Sequence, residues 1–298
     1  MKKKKSFLHS VLRNASKAIC ALFVENHLLK LCNYSIESPE IPQEFDGLKI
    51  LQLSDLHSKR FGRGNSRLLE KIKDAKPNFV VMTGDMISRS DTSYEVFFSL
   101  ARILGQTYPC YYIIGNHEQD LEPDELHAFL KRLAALKIQV LNNEKTVLHR
   151  GNSRINLYGM WFSLKYYRES KLWAAPAPLF GERELTSALG KRDSSHYSIL
   201  LTHNPLAFSA YAEWGADLTL CGHIHGGMIR LPFFGGLLSP ERKFFPEYSA
   251  GIYERDGKKM LVSRGLGSGT FGIRMFNIPE IVLITLHVQN GNSACLYK

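Results

Sequence analysis

The chain has 298 residues, of which 44% are apolar, 11% aromatic and 22% charged. That content sustains a buried core and excludes intrinsic disorder, and with no heptad run and no repeat at solenoid spacing the fibrous and repeat classes drop out. The net charge is +10, and Lys2, Lys3, Lys4, Lys5, Arg13 and Lys17 gather six positive charges in the first 24 residues, which contain no acid; a nucleic-acid protein spreads basic charge over its folded surface instead, so no specific nucleic-acid partner is expected.

No stretch reaches the roughly 18 uncharged apolar residues of a spanning helix. Residues 6–24 predict an amphipathic helix, with Phe7, Leu8, Val11, Leu12, Ala15, Ala18, Ile19, Leu22 and Phe23 on one face. With four lysines ahead of it, residues 1–32 are expected to form a basic anchor on a membrane surface, placing the protein peripherally at the cytoplasmic face. The competing expectation is that this face packs on the protein's own core and the protein is cytoplasmic. Residues 33–48, with Asn33, Ser35, Ser38, Pro39, Pro42 and Gly47, read as a connector, and residues 49–298 as the catalytic domain. The five scattered cysteines (Cys20, Cys32, Cys110, Cys221 and Cys295) argue against a disulfide framework.

From Lys49 an alternation begins. Strands are predicted over Lys49–Ser54, Phe79–Thr83 and Cys110–Ile114, and helices over Arg67–Lys73, Tyr94–Leu104 and Pro123–Leu136. From Thr146 strands dominate: Thr146–His149, Ile155–Gly159, Ser198–Thr202, Leu218–Cys221, Ser249–Tyr253, Lys259–Ser263 and Ile281–His287. Residues 226–247 read as a long loop rich in Gly, Pro and Phe. The pattern predicts an α/β fold in which two sheets pack face to face under outer helices.

Functional side chains of α/β sheets collect just past the C-terminal ends of strands. Five exits carry oxygen or imidazole donors: Asp55-Leu56-His57, Gly84-Asp85, Gly115-Asn116-His117-Glu118, His203-Asn204-Pro205 and Gly222-His223-Ile224-His225. A lone Asp after a strand is usually a turn residue or a cap, and a lone His is usually an ordinary surface or core residue. Five such exits together exceed the needs of caps, and the donor count exceeds the needs of one metal ion. It fits two divalent ions sharing a carboxylate. The set holds no thiolate, which suits manganese first, with iron, zinc or cobalt as alternatives. Cys221 reads as core packing.

These motifs, in this order, resemble the calcineurin-like metallophosphoesterase superfamily over roughly Leu48 to His287. The resemblance implies a four-layer α/β/β/α sandwich of two mixed sheets with outer helices. It also implies a binuclear centre, with Asp55, His57, Asp85 and His225 on one ion and Asp85, Asn116, His203 and His223 on the other. His117 would be the catalytic histidine outside the ligand set, acting in protonated form on a phosphoryl oxygen or the leaving group, and Glu118 is a candidate to orient it. Ser88 stands where the protein Ser/Thr phosphatases of this group carry a second Asp, which disfavours that branch. The run from Gly222 to Pro232 and the segment from Ser263 through Arg274 to Ile281 resemble the bacterial membrane-associated branch, some of whose members hydrolyse UDP-2,3-diacylglucosamine.

Gly267-Ser268-Gly269-Thr270-Phe271-Gly272 matches a dinucleotide fingerprint in letters only, since Pro279 and a strand follow where a helix should open. A loop near the metals, with Arg264 or Arg274 on a substrate phosphate, is the expectation there. The apolar run Leu231–Leu238 and Phe244-Phe245-Pro246 is a candidate wall for an acyl chain or a bilayer, or else ordinary core. The reading is therefore a phosphodiester or pyrophosphate hydrolase, acting on a small or lipid-linked phosphoester. A nucleotide or nucleic-acid phosphodiesterase and a non-catalytic metal-binding scaffold are the alternatives.

Overall fold

The computed structural model describes residues 27–167, 180–227, 229–231, 235–238, 244–268 and 274–289. The amphipathic helix expected over residues 6–24 lies outside these, as do Cys20 and Cys295.

In chain order the strands are β1 (Lys30–Ser38), β2 (Lys49–Leu53), β3 (Phe79–Thr83), β4 (Cys110–Ile113), β5 (Ile138–Val140), β6 (Glu144–Arg150) and β7 (Ser153–Met160). They continue with β8 (Ser198–Thr202), β9 (Leu218–Cys221), β10 (Ile229–Leu231), β11 (Gly235–Leu238), β12 (Gly251–Arg255), β13 (Lys258–Val262) and β14 (Glu280–Val288). The α-helices are α1 (Ser66–Ala75), α2 (Glu95–Thr107), α3 (Pro123–Ala135), α4 (Glu182–Leu189) and α5 (Phe208–Trp214).

Two six-stranded sheets form, in the orders β1-β14-β2-β3-β4-β5 and β12-β13-β9-β8-β7-β6. Both are mixed. In the first, β2, β3, β4 and β5 run parallel while β14 is antiparallel to β2; in the second, β7, β8, β9 and β13 run parallel between antiparallel neighbours β6 and β12. Strand alternation sorts side chains into layers. In β3, Phe79 and Val81 face the second sheet, whereas Val80 and Met82 face the helices. In β8, Ile199 and Leu201 face the first sheet and Leu200 faces outward under α5. Three apolar layers result: one under α1–α3, one between the sheets and one under α4 and α5. This is the four-layer α/β/β/α sandwich.

Several elements differ from the sequence reading, among them the short strand β5, which was not read. Residues 30–38, read as the end of an anchor and the start of a connector, form β1, paired in parallel with β14 over its whole length. The polar residues that suggested a linker alternate with Cys32 and Ile36, which are buried. Helices α4 and α5 were not read at all, being short and flanked by loop-like sequence. The Gly- and Phe-rich loop contains the β10–β11 hairpin.

Candidate metal centre

The parallel strands β2, β3, β4, β8 and β9 all end at one edge of the sandwich, so their exits converge. Gln52, a polar residue inside an apolar strand, ties the two sheets together there: its Nε2 donates to Thr83 Oγ1 at 3.0 Å and to the Cys221 carbonyl at 2.9 Å. The exit loops bond to one another, with the backbone N–H of Asp55 on Gly84 O (3.0 Å), of His57 on Asp85 O (3.1 Å) and of Gly222 on His203 O (3.1 Å).

Asp55, His57, Asp85, His223 and His225 all have left-handed backbones, with φ of 51°, 46°, 53°, 73° and 54°. Such conformations are costly for residues with a Cβ and persist where the surroundings impose them, which is common at functional sites. Two motif glycines are sterically required. A Cβ on Gly115 would meet Asp85 Oδ1 at 2.2 Å, and one on Gly222 would meet Ser54 Oγ at 2.0 Å and Asp55 Oδ2 at 2.4 Å.

The candidate ligands meet in three overlapping groups: Asp55, His57 and His225; Asp85, His203 and His223; and His57, Asp85 and His117. Asp85 and His57 each lie in two of them, and of these Asp85 is the carboxylate, the kind of ligand that two ions can share. Its Oδ2 is 3.2 Å from His203 Nε2, and 3.9 Å from both His57 Nε2 and His117 Nε2. Asp55 Oδ1 is 3.5 Å from His225 Nε2 and 3.9 Å from His203 Nε2. Asp55, Asp85, Asn116, His117, His203, His223 and His225 are all buried.

The donors fit divalent metal. Asn116 Oδ1 is buried without a hydrogen-bond partner, an arrangement that costs free energy unless something binds it. His57 Nε2 and His225 Nε2 are 3.2 Å apart; two nitrogens on one ion at about 2.1 Å lie roughly 3.0–3.4 Å from each other. His203 Nδ1 contacts the Thr83 carbonyl at 2.7 Å, which fixes its proton there and turns Nε2 inward.

Electrostatics agree. Burial holds Asp55 above the usual carboxylate range. Burial would raise Asp85 too, but His203, His117 and His57 outweigh it and hold Asp85 well below. Burial pushes His57 down to about 3 and holds His225 well below the usual imidazole value. Burial opposes charge on His203, yet Asp85 and Asp55 prevail and push it up to about 10. A cation held between these carboxylates is therefore favoured, and a metal ion would supply that charge in place of a proton.

Glu118 does not orient His117. Its carboxylate turns back and accepts the backbone N–H groups of Asp85 (2.9 Å), Met86 (2.7 Å) and Gly115 (2.8 Å), bracing the loop that aims Asp85. Burial and the Asp85 charge raise its pKa to about 7. The two arginines expected on a substrate phosphate have other partners. Arg264 pairs with Glu280 at 2.7 Å. Arg274 is fully buried and donates to the carbonyls of Asn277 (2.9 Å), Arg264 (2.5 Å) and Gly267. Beside it, Asn277 Nδ2 donates to His225 O and Gly227 O, each at 2.6 Å, and so anchors the turn carrying His225. A lone Asn ahead of a Pro gave no signal for that role in the sequence. Gln52 did give one, as the only polar residue of Ile50–Leu53. Cys221 is buried in the core, as expected.

Residues 48–227 match the family model described as calcineurin-like phosphoesterase. Among curated proteins, the uncharacterized metallophosphoesterase YkuE of Bacillus subtilis is 28% identical over 91% of this chain and 90% of its own. The phosphodiesterase YaeI of Escherichia coli is 28% identical over 80% of this chain and 82% of its own. The UDP-2,3-diacylglucosamine pyrophosphatase LpxG of Chlamydia muridarum is 25% identical over 94% of this chain and 93% of its own.

Proposed function

Because the chain belongs to the calcineurin-like phosphoesterases, a family of metal-dependent hydrolases, we propose that it cleaves a phosphodiester or pyrophosphate bond at a binuclear centre on the converging strand exits. The observation that carries this reading is the position of Asp85 in two donor groups at once. Asp55, His57, Asp85 and His225 would hold one ion, and Asp85, Asn116, His203 and His223 the other. Two divalent ions bound there supply a lowered pKa for a water molecule and positive charge against the phosphoryl oxygens. The chain's own part is to orient and to insulate. Asp55 accepts the His223 N–H at 3.1 Å, and Asp85 Oδ1 accepts the His117 N–H at 2.8 Å, so each carboxylate is aimed by the backbone of another exit. His117 stands beside the donors without completing either set, in reach of a substrate oxygen. Imidazole and oxygen donors without a thiolate admit manganese, iron, zinc or cobalt, and manganese is the ion proposed here.

The finer reading is a lipid-linked substrate, such as a UDP-diacylglucosamine, met at a membrane surface by a basic N-terminal segment over residues 1–32. What supports it is the amphipathic pattern of residues 6–24, the relationship to LpxG, and exposed Phe244 and Phe245, at 67% and 59%, on the segment that follows the His223–His225 exit. Among the described residues no helix is long and apolar enough to cross a membrane.

Turnover of three substrates by the manganese-loaded protein tests the proposal: an aryl phosphodiester, a nucleoside-diphosphate lipid and a cyclic nucleotide. Hydrolysis of the first two with the lipid preferred supports it. A preference for the cyclic nucleotide favours a nucleotide phosphodiesterase, and metal binding without turnover of any of them leaves a scaffold.

A further inference from the structure

Two buried histidines of the centre have opposite backbone partners. His203 Nδ1 lies 2.7 Å from a carbonyl, that of Thr83. His117 Nδ1 lies 3.2 Å from an amide N–H, that of Arg89. A carbonyl only accepts and an amide N–H only donates, so the proton of His203 sits on Nδ1 and the lone pair of His117 sits on Nδ1.

The amide is not a chance neighbour. Its segment is held by Asp91, whose carboxylate accepts the Ser88 N–H at 2.8 Å and the Ser58 hydroxyl, and whose own N–H returns to Ser88 O at 3.0 Å. Ser58 belongs to the exit carrying Asp55 and His57, so the donor of His117 is tied to the ligand loop. The Arg89 side chain is engaged elsewhere, in an ion pair with Asp120. The His117 backbone N–H donates to Asp85 Oδ1 at 2.8 Å, and its ring, with Nε2 3.9 Å from Asp85 Oδ2, lies edge-on to His57 with ring centres 4.5 Å apart.

We infer that the Arg89 amide fixes His117 with its proton on Nε2, facing the Asp85 carboxylate, so that His117 serves the phosphoryl group as a neutral hydrogen-bond donor rather than as an acid. The inference rests on the phosphoesterase reading above. It explains why His117, although its Nε2 lies among the atoms of a three-residue donor group, is no metal ligand: a neutral imidazole binds metal through a lone pair, and this one points at Arg89. Burial disfavours an imidazolium here, and of the nearby charges Asp120 favours one while Arg89, ion-paired with it, opposes one. A neutral donor stabilises charge on a non-bridging oxygen but delivers no proton. His117 then favours leaving groups that depart as stable anions, such as the phosphate of an anhydride or an aryl oxide, over alkoxides.

The zinc-loaded full-length protein, labelled with nitrogen-15 in histidine, tests this by long-range proton–nitrogen spectra. His117 is expected to show an unprotonated Nδ1 and a protonated Nε2, and His203 the reverse. An Nδ1-protonated or doubly protonated His117 near neutral pH overturns the inference. Arg89→Ala keeps the amide and should keep this signature, whereas Arg89→Pro deletes the N–H and should lose it, with kcat about tenfold below that of the alanine variant. Should the proline variant not fold, the spectrum of the unaltered protein still decides. Kinetics supply a second measurement, using aryl phosphodiesters of rising leaving-group pKa. His117→Ala should lower kcat by one common factor across the series, and His117→Gln, which keeps an N–H donor, should recover part of it. A loss that grows with leaving-group pKa marks a general acid and refutes the neutral donor. If no member of the series is turned over, the phosphoesterase reading fails, while the spectrum still reports the tautomer.

Discussion

His57, at the exit of β2, and His225, at the exit of β9, meet Nε2 to Nε2 at 3.2 Å with their rings stacked. The two strands belong to different sheets, so this pair exists only while the sheets hold their mutual position. Gln52 is one of the polar links that hold them at this end, beside His203 Nδ1 on the Thr83 carbonyl and the His223 N–H on Asp55. Gln52→Leu preserves the volume but removes both bonds: the Cys221 carbonyl keeps the Ser263 N–H at 2.9 Å, whereas buried Thr83 Oγ1 loses the Gln52 donor. The expected cost is about 1–3 kcal/mol of stability, read by denaturant unfolding of the metal-free protein, together with weaker metal binding. A variant with unchanged stability and unchanged metal affinity would show that apolar packing and the remaining links set the sheet register without Gln52.

Asp85 carries the heaviest expectation. Asp85→Asn keeps the shape and the oxygen facing the His117 N–H, yet removes the charge on which both donor groups converge. Metal content, measured by elemental analysis, should fall from two ions per chain to one or fewer. Turnover should fall by more than the about 10–100-fold typical of losing an outer partner of a ligand. Two retained ions with near-normal rates would mean that Asp85 does not bridge.

Glu118 is a structural prediction inside a functional motif. It is fully buried and accepts three backbone N–H groups at 2.7–2.9 Å. Glu118→Ala orphans all three, and each buried donor left unpaired costs about 1–3 kcal/mol. Thermal unfolding of the metal-free protein should show a loss of at least about 3 kcal/mol, before metal or substrate enters. Glu118→Gln should cost less, since one of its two polar atoms still accepts. If Glu118→Ala lowered turnover while leaving stability intact, its carboxylate would act in the chemistry rather than in the loop.

The five exits were legible because each joins a short apolar strand to a metal-type donor, three of them through a Gly, and parallel strands bring all such junctions to one edge. The partners of those donors were not. Glu118 follows His117 in sequence yet points the other way, and only the fold brings its oxygens to face Asp85 and Gly115. Arg264 and Arg274 looked like phosphate ligands because Gly-rich neighbours suggested an open loop. In the fold Glu280 and a set of carbonyls occupy them. β1 was hidden by its half-polar face and its distance from β14, its partner from the far end of the chain. Long-range pairing of that kind leaves no local periodicity to read.

The last expectation concerns residues 2–24, which lie outside the described residues. Two terms should bind them to anionic membranes. Each lysine of Lys2–Lys5 near the surface contributes about 1 kcal/mol, weakening as salt rises. Burial of Phe7, Val11, Leu12, Ile19, Leu22 and Phe23 adds about 25 cal/mol per Å² of apolar surface. The two terms respond differently to substitution. Replacing Lys2–Lys5 with Gln should weaken binding to anionic vesicles and leave the weaker binding to neutral ones nearly unchanged. Replacing Leu12 and Ile19 with Asp should release the protein from both kinds. None of these residues is a candidate ligand, so hydrolysis of a soluble aryl phosphodiester should survive both changes. Vesicle sedimentation with an activity assay on the supernatant and pellet reads all of this at once. If the Asp variant loses soluble-substrate activity or unfolds, the apolar face packs on the catalytic domain, and the membrane reading is wrong.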